Sequence, residues 1–314
     1  MHDSTGSETS GPTRAGHVAL VGRPNVGKST LLNALVGEKL SIVTPRAQTT
    51  RDQVLGILTD ERAQIVFVDT PGLLEPKYRL QHSMLETALS AIADADVVLL
   101  LLDGSAPEEL PAAEVLDELR SRRQKLLVGI NKTDVASARV QRDLAEWSQK
   151  EFGMLPFRLS ARTGTGLDDL RNELVSRLPE SPFLYPEDDL ATQPVRFFVE
   201  ELIRETVFER YEEEVPYSTV VRIEEFREER TPIYIRATVY VERESQKAII
   251  VGKGGSAIRA LGTAAREKIE RFVGSPVYLD LWVKAMPGWR NKDASLRFLG
   301  YPVPRAESEP GEKT

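Results

Sequence analysis

A chain of 314 residues has room for about two domains at roughly 150 residues each, and 41% hydrophobic against 28% charged residues is the balance of a globular protein with a packed core. The absence of cysteine excludes disulfides, zinc–thiolate centres and thiol nucleophiles. A net charge of −7 argues against a uniformly basic binder of nucleic acid, yet it averages two opposed stretches: residues 196–245 hold 8 Arg against 13 Glu (net −5), and residues 246–300 hold 10 Lys or Arg against 4 Asp or Glu (net +6).

Residues 1–16 are polar and rich in Ser, Thr and Gly, which predicts a disordered tail without the apolar core of a secretory signal. From residue 17 to about 178, short aliphatic runs alternate with amphipathic stretches. His17–Gly22, Gln64–Asp69, Val97–Asp103, Lys125–Asn131 and Leu155–Ser160 read as buried strands. Lys28–Val36, Leu80–Ala93, Leu110–Arg122, Arg139–Phe152 and Leu167–Arg177 read as helices. This alternation predicts an α/β domain over 17–180 with a mostly parallel sheet covered on both faces. The longest aliphatic run, Val97–Leu102, falls far short of the roughly 18 residues a membrane-spanning helix needs.

The first strand runs into Gly22-Arg23-Pro24-Asn25-Val26-Gly27-Lys28-Ser29 and then into a helix that continues with Thr30, which meets every fixed position of the G-x-x-x-x-G-K-[ST] phosphate loop. Gly22 and Gly27 let the backbone N–H groups turn inward on a phosphate, and the helix N-terminus adds positive potential. Lys28 is expected on the β- and γ-phosphates and Ser29 on Mg²⁺.

Between the first helix and the next strand, Thr44–Arg51 contains Thr49 and Thr50. Thr50 is the expected Mg²⁺-closing residue, with Thr49 as the alternative. Arg46 and Arg51 are read as solvated arginines rather than internal arginine fingers. Asp69-Thr70-Pro71-Gly72 then places an aspartate to hold Mg²⁺ through water and a Gly72 N–H to sense the γ-phosphate. Leu73 stands where Ras-like enzymes carry a water-orienting glutamine, so slow intrinsic hydrolysis is expected.

Asn131-Lys132-Thr133-Asp134 ends another strand and reads guanine: the Asp134 carboxylate accepts from the base N1–H and exocyclic amine, which adenine cannot offer. Ser160-Ala161 supplies a weaker final element, with the Ala161 N–H on the guanine O6. Four motifs in this order predict a GTP-hydrolysing domain using GTP/GDP and Mg²⁺, with Lys28, Thr50 and Gly72 nearest the reaction.

Residues 181–195, overlapping the four-proline stretch Pro179–Pro194, read as a linker. Phe197–Tyr211 reads as a helix, Tyr217–Phe226 and Pro232–Val241 as paired strands, Ala257–Phe272 as a helix and Pro276–Lys284 as a last strand, making an α+β unit over 196–301 before a flexible tail over 302–314. Between an apolar turn and the second helix lies Gly252-Lys253-Gly254-Gly255, a G-x-x-G loop of the kind that clamps about four nucleotides in KH domains. Ile249, Ile250 and Ile258 are expected on the apolar side of the cleft, with Arg259 adding charge. Trp289 is read as a candidate base-stacking residue and Trp282, alternating within an apolar strand, as core.

A GTPase of this pattern followed by a strands-first (type II) KH order resembles the Era family of bacterial ribosome-assembly GTPases over roughly residues 17–301. Tyr185-Pro186-Glu187-Asp188, Pro216-Tyr217-Ser218, Trp289-Arg290-Asn291 and Leu299-Gly300-Tyr301 add to the match, whereas Ala285-Met286-Pro287-Gly288 departs from a family pattern that usually carries extra lysines there. A monomer is the default expectation, and the lack of cysteine fits a reducing cytoplasm. The resemblance implies a protein that binds the 3′ end of 16S ribosomal RNA and assists small-subunit assembly. By analogy with potassium-activated relatives it also suggests a K⁺ role for Asn25. Peripheral association with the inner face of the cell membrane is left open, and a GTP-dependent scaffold whose KH-like module binds protein is the competing reading.

Overall fold

The computed structural model describes residues 12–303 apart from Pro45 and Ala47, so the expected tails lie largely outside the described residues. Contacts group the described chain into two units. One holds residues up to 41, 53–70 and 90–192; the other holds 42–52, 71–89 and 193 onward. The division therefore does not follow the expected boundary near residue 180.

In chain order the first unit is built from β1 (Arg14–Gly22), α1 (Lys28–Val36), β2 (Val54–Thr59), β3 (Ala63–Asp69), α2 (Arg79–Asp94, whose first turns belong to the second unit), β4 (Val97–Asp103), α3 (Ala113–Ser121), β5 (Leu126–Asn131), α4 (Ala138–Phe152), β6 (Phe157–Arg158) and α5 (Leu167–Arg177). Every residue of β3, β4 and β5 is buried, as strands covered on both faces require. The sheet order is β2-β3-β1-β4-β5-β6, all parallel except the edge strand β2. β2 has no counterpart among the expected strands because Val-Leu-Gly-Ile-Leu-Thr neither alternates nor forms a long apolar run. Gly56 within it admits α1: a Cβ there would fall 2.6 Å from Leu32 Cδ1.

Three expected boundaries differ. Arg14–Gly16 belongs to β1 rather than to a tail, with Ala15 N–H bonded to Pro179 O at 3.3 Å. The strand expected over Leu155–Ser160 shrinks to two residues because Pro156 cannot donate to the ladder. The proline-rich stretch is docked rather than free: Ile57 N–H donates to Leu190 O (2.8 Å), and the buried Gln64 amide accepts from Leu184 N–H (2.7 Å) and donates to Tyr185 O (2.9 Å).

The second unit contains α6 (Val195–Arg210), β7 (Val220–Arg227), β8 (Ile233–Val241), α7 (Glu244–Val251), α8 (Ser256–Val273), β9 (Val277–Ala285) and α9 (Asp293–Phe298). β7 and β8 are antiparallel, and β8 and β9 are parallel, in the order β7-β8-β9. Helix α7 replaces the apolar turn expected before the G-x-x-G loop. Alternate residues of the strands, among them Val221, Ile235, Val239 and Val277, pack on Val199, Ile203, Ile250, Leu261 and Ile269 of the helices. A second cluster joins Leu80 and Met84 to Val220, Tyr240, Trp289, Leu296, Leu299 and Tyr301.

Candidate functional site

In the first unit the parallel register brings the ends of β1, β3, β4 and β5 to one edge of the sheet, pairing Leu20 with Asp69, Gly22 with Leu101 and Asp103 with Asn131. Loops that leave this edge carry the ligand chemistry in open α/β sheets. The loop after β1 turns through Gly22 (φ 150°), Asn25 (φ 63°) and Gly27 (φ 100°). A Cβ on Gly27 would lie 2.3 Å from Asn131 Nδ2, so only glycine fits there. Asn131 is the brace of the site: Nδ2 donates to Val26 O (2.8 Å), and Oδ1 accepts from Ala161 N–H (2.9 Å). One side chain thereby ties the phosphate loop to the Ser160-Ala161 loop.

The first backbone bond of α1 runs from Leu31 N–H to Gly27 O at 2.9 Å, so the amides of Lys28 to Thr30 sit at the helix's anion-attracting end. Lys28 is 6% exposed, and its amine donates to Gly22 O and Arg23 O at 3.1 Å each. Burial lowers its pKa to about 8, opposed by the nearby Asp69 charge. The Ser29 hydroxyl donates to Asp69 Oδ2 at 2.7 Å, placing two hard oxygen donors together as Mg²⁺ ligation requires. Thr70, expected at the nucleotide, commits its hydroxyl to Leu20 O (2.8 Å) and braces β1 instead.

At the base-reading end, Asp134 accepts from Ser160 Oγ (2.7 Å) and pairs with Arg162; the serine bond first, then its own backbone N–H and the guanidinium, hold its carboxyl below the usual range against the effect of burial. Lys132, in left-handed backbone (φ 61°), reaches Asp103 Oδ2 at 2.6 Å. Asp103 and Arg162 did not stand out in the sequence: one ends a buried strand and the other follows the motif by a single residue.

Thr49, Thr50, Pro71, Gly72 and Leu73 belong to the second unit by their contacts. Thr50 is 8% exposed and Leu73 2%, so Leu73 serves as a core residue. Arg51 is not solvated as expected. It is 5% exposed, donates to Thr219 O (2.7 Å) and Tyr217 O (2.9 Å), and lies over the Trp289 ring at 5.7 Å. Arg204 of α6 grips Thr49 O, and Arg46 bonds Tyr211 O. Asp52 sits among these arginines; burial first and Glu201 next raise its pKa to about 6 against the pull of Arg222, Arg204 and Arg51. Arg204 was missed in the sequence, although a charge beside Ile203 and Val207 on an apolar helix face was the available signal.

The G-x-x-G loop joins α7 to α8. Gly252, Gly254 and Gly255 all have positive φ (70°, 58° and 74°), and a Cβ on Gly252 would fall 2.6 Å from Ala257 Cβ. Lys253 and Gly254 are exposed at its tip, and Arg259 donates to Gly254 O at 3.0 Å. Beside it a groove of about 400 Å³ runs between α8 and β9, walled by Ile258, Arg259, Thr263, Arg266, Tyr278 and Leu281. Ile250 does not reach it. That residue is fully buried in the core and supports α7 from beneath. Ile249 is exposed but lies off the groove. The two tryptophans exchange their expected roles: Trp289 is wholly buried, with Nε1–H on Ser218 O (2.9 Å), and Trp282 is 55% exposed.

A phosphate loop on a parallel sheet, an aspartate fixed beside its serine and a guanine-reading loop, followed by a strands-first KH module, define a P-loop GTPase with an appended nucleic-acid-binding fold. Residues 17–132 match the family model described as 50S ribosome-binding GTPase, and residues 214–290 match the KH domain. The chain is 41% identical over 307 residues to GTPase Era of Afipia carboxidovorans, covering 97% of this chain and 100% of that protein. It is 42% identical to GTPase Era of Halothermothrix orenii, over 92% and 98% of the two chains. Crystal structures of Aquifex aeolicus Era Y63A bound to GDP·AlF₄⁻, and of Era with MgGDPNP and nucleotides 1506–1542 of 16S ribosomal RNA, each superpose with a TM-score of 0.86 at 38% identity, covering 93% of this chain and 100% of theirs. The chain belongs to the Era family of GTPases.

Proposed function

We propose that this chain is a GTP-hydrolysing switch that binds the 3′ end of 16S ribosomal RNA through its α8–β9 groove and assists small-subunit assembly. What supports the reading is the presence in one chain of the phosphate and guanine loops and of a glycine loop beside an open, partly apolar groove lined by Arg259 and Arg266, in a chain that matches over 93% of its length an Era bound to nucleotides 1506–1542 of 16S ribosomal RNA.

In hydrolysis the loop amides and Lys28 hold the β- and γ-phosphates, Asp134 selects guanine, the Ala161 N–H being committed to Asn131 Oδ1, and the Gly72 N–H meets the γ-phosphate as water attacks in line. Ser29, Asp69 and Thr50 would hold Mg²⁺, which would supply positive charge to the phosphates. No side chain at position 73 orients the water, so the intrinsic rate is slow. Asn25, exposed in left-handed backbone in the phosphate loop, would help hold K⁺ in the role an arginine finger plays elsewhere. Turnover then rises on replacing Na⁺ by K⁺ and loses that rise in Asn25→Ala; equal rates in the two salts refute the potassium role.

A cytoplasmic monomer is the working state. Among the described residues no helix is long and apolar enough to cross a membrane, which leaves peripheral contact with an inner membrane surface open to a vesicle-binding assay.

The test of the whole reading is binding of a single-stranded RNA copying the 16S 3′ end with GTP analogue, with GDP and without nucleotide. Salt-sensitive binding, strongest with the analogue and abolished by Lys253→Asp with Gly254→Asp, is expected. Equal binding by that double variant would transfer the module to a protein partner.

A further inference from the structure

Asp134 reads the edge of guanine, and an edge contact leaves the faces of the ring to be covered. Small-ligand sites pair a few orienting polar groups with apolar cover for this reason. Two residues before Asp134, the four-carbon stem of Lys132 offers such cover. A lysine stem by itself is a poor platform. It is flexible, ends in a strongly hydrated ammonium and loses rotamer freedom when a ligand fixes it.

In the first unit that freedom is already removed. Lys132 Nζ donates to Asp103 Oδ2 (2.6 Å) and to Ser105 Oγ (3.3 Å). Asp103, the last residue of β4, is held in turn: its Oδ1 accepts from Ser105 N–H (2.8 Å) and from the Ser105 hydroxyl (2.6 Å). The Asp103 side chain is 8% exposed and that of Lys132 31%, so the anchor is buried while part of the lysine stays open to a ligand.

The backbone fixes the other end of the stem. Lys132 stands in left-handed conformation (φ 61°), and its carbonyl accepts from Val135 N–H (3.0 Å) and Ala136 N–H (3.1 Å). A non-glycine residue keeps that conformation only where its surroundings hold it there. The turn after β4 lies directly against this loop. Gly104 N–H donates to Asn131 O at 3.0 Å, and a Cβ on Gly104 would fall 2.8 Å from the same oxygen. Asp103 and Asn131 are also paired in register between β4 and β5.

We propose that Asp103 is a positioning residue for the nucleotide base, pre-setting the Lys132 stem as a platform for one face of a purine. The inference rests on the reading of guanine by Asp134 given above. It divides the labour of the loop: Asp103, acting through Lys132, contributes affinity common to purines, and Asp134 contributes the choice of guanine. A platform ordered before the ligand arrives spares the ligand the cost of ordering it.

The experiment measures equilibrium binding and release of a fluorescent GDP for the full chain and for Asp103→Asn, Lys132→Met and the double variant. Asp103→Asn keeps an acceptor for Ser105 but turns an amide N–H₂ toward the ammonium, which is thereby let go. It weakens GDP about tenfold (about 1.4 kcal/mol), mostly through faster release. IDP, whose base lacks the exocyclic amine, weakens by the same factor. The KM for GTP rises in step while kcat at saturation holds, since no group at the γ-phosphate is touched. Lys132→Met keeps an apolar stem without the ammonium, and adding Asp103→Asn to it brings no further loss. Parent affinity in Asp103→Asn overturns the proposal. So does an equal further loss on the Lys132→Met background, which would make Asp103 a support of the loop alone; the same comparison decides the matter if Asp103→Asn lowers the melting temperature. Asp134→Asn reports on the underlying reading separately, because it loses the advantage of GDP over IDP. If that advantage survives, the reading of guanine by Asp134 fails and takes the inference with it.

Discussion

At the scale of single residues, two ionisable groups, Lys28 buried and Asp52 half-buried, make the protein's behaviour depend on pH. The Lys28 amine, lowered to about 8, is charged below that pH and neutral above it in the free protein. Phosphates bind the charged form and raise its pKa. With the γ-phosphate ionised above about pH 7, GTP affinity is therefore flat up to pH 8 and falls by up to about tenfold per unit above it, and binding there takes up a proton, which calorimetry in buffers of different ionisation enthalpy reads directly. Asp52 runs the other way. Its folded pKa, raised to about 6, exceeds the unfolded value near 3.8, so the folded state holds the proton more tightly. The associated stability is full below pH 4 and is lost as pH rises through 6. Asp52→Asn keeps that stability, and its melting temperature separates upward from the parent's between pH 4 and 7 by a difference worth on the order of 1–3 kcal/mol. The nucleotide residues were legible in the sequence because chemistry fixes both their types and their spacing. Asp52, Arg51 and Arg204 were not, because what makes them notable is burial among one another, and no local pattern announces that.

At the scale of elements, legibility followed periodicity. α1, β4 and α5 were bounded to the residue because Gly37 and Gly104 close the first two and Leu178-Pro179 ends the third. β2 was invisible because its pairing comes from β3 across a turn rather than from its own pattern. α7 was hidden because eight residues ending in a run of isoleucine and valine are too few to display a helical period. Trp282 was misread for a related reason: apolar neighbours at 281 and 283 drew it into the core, although alternation alone puts it on the opposite face from them. The segment Ile42–Asp52 carries an element-scale prediction. Three backbone carbonyls of Pro216–Thr219 accept from the Arg51 guanidinium, at 2.7 to 3.4 Å. Arg51→Ala leaves those carbonyls buried without their donor and is expected to cost about 2–4 kcal/mol of stability in chemical denaturation. Arg51→Lys recovers only part, since an ammonium cannot present the planar fork.

At the scale of the molecule, the contact grouping of residues 42–52 and 71–89 with the C-terminal half has a practical result. A fragment ending at residue 192 is not a smaller GTPase with its parts intact. It would strip the cover from Leu80 and Met84, which are 1% and 3% exposed, and from Arg51. Such a fragment is expected to bind a hydrophobic dye that the full chain excludes and to melt at a lower temperature; a fragment as stable and dye-free as the full chain would show that these contacts contribute nothing. The same grouping gives the protein a built-in optical reporter. Trp289 is sealed from water and has the Arg51 cation 5.7 Å above its ring, whereas Trp282 faces solvent. An indole in a dry pocket emits to the blue of one in water, and a cation moved off its face changes its emission. Once the third tryptophan, Trp147 of α4, is replaced by phenylalanine, blue-side fluorescence therefore follows the segment that carries Thr50 without attaching any dye.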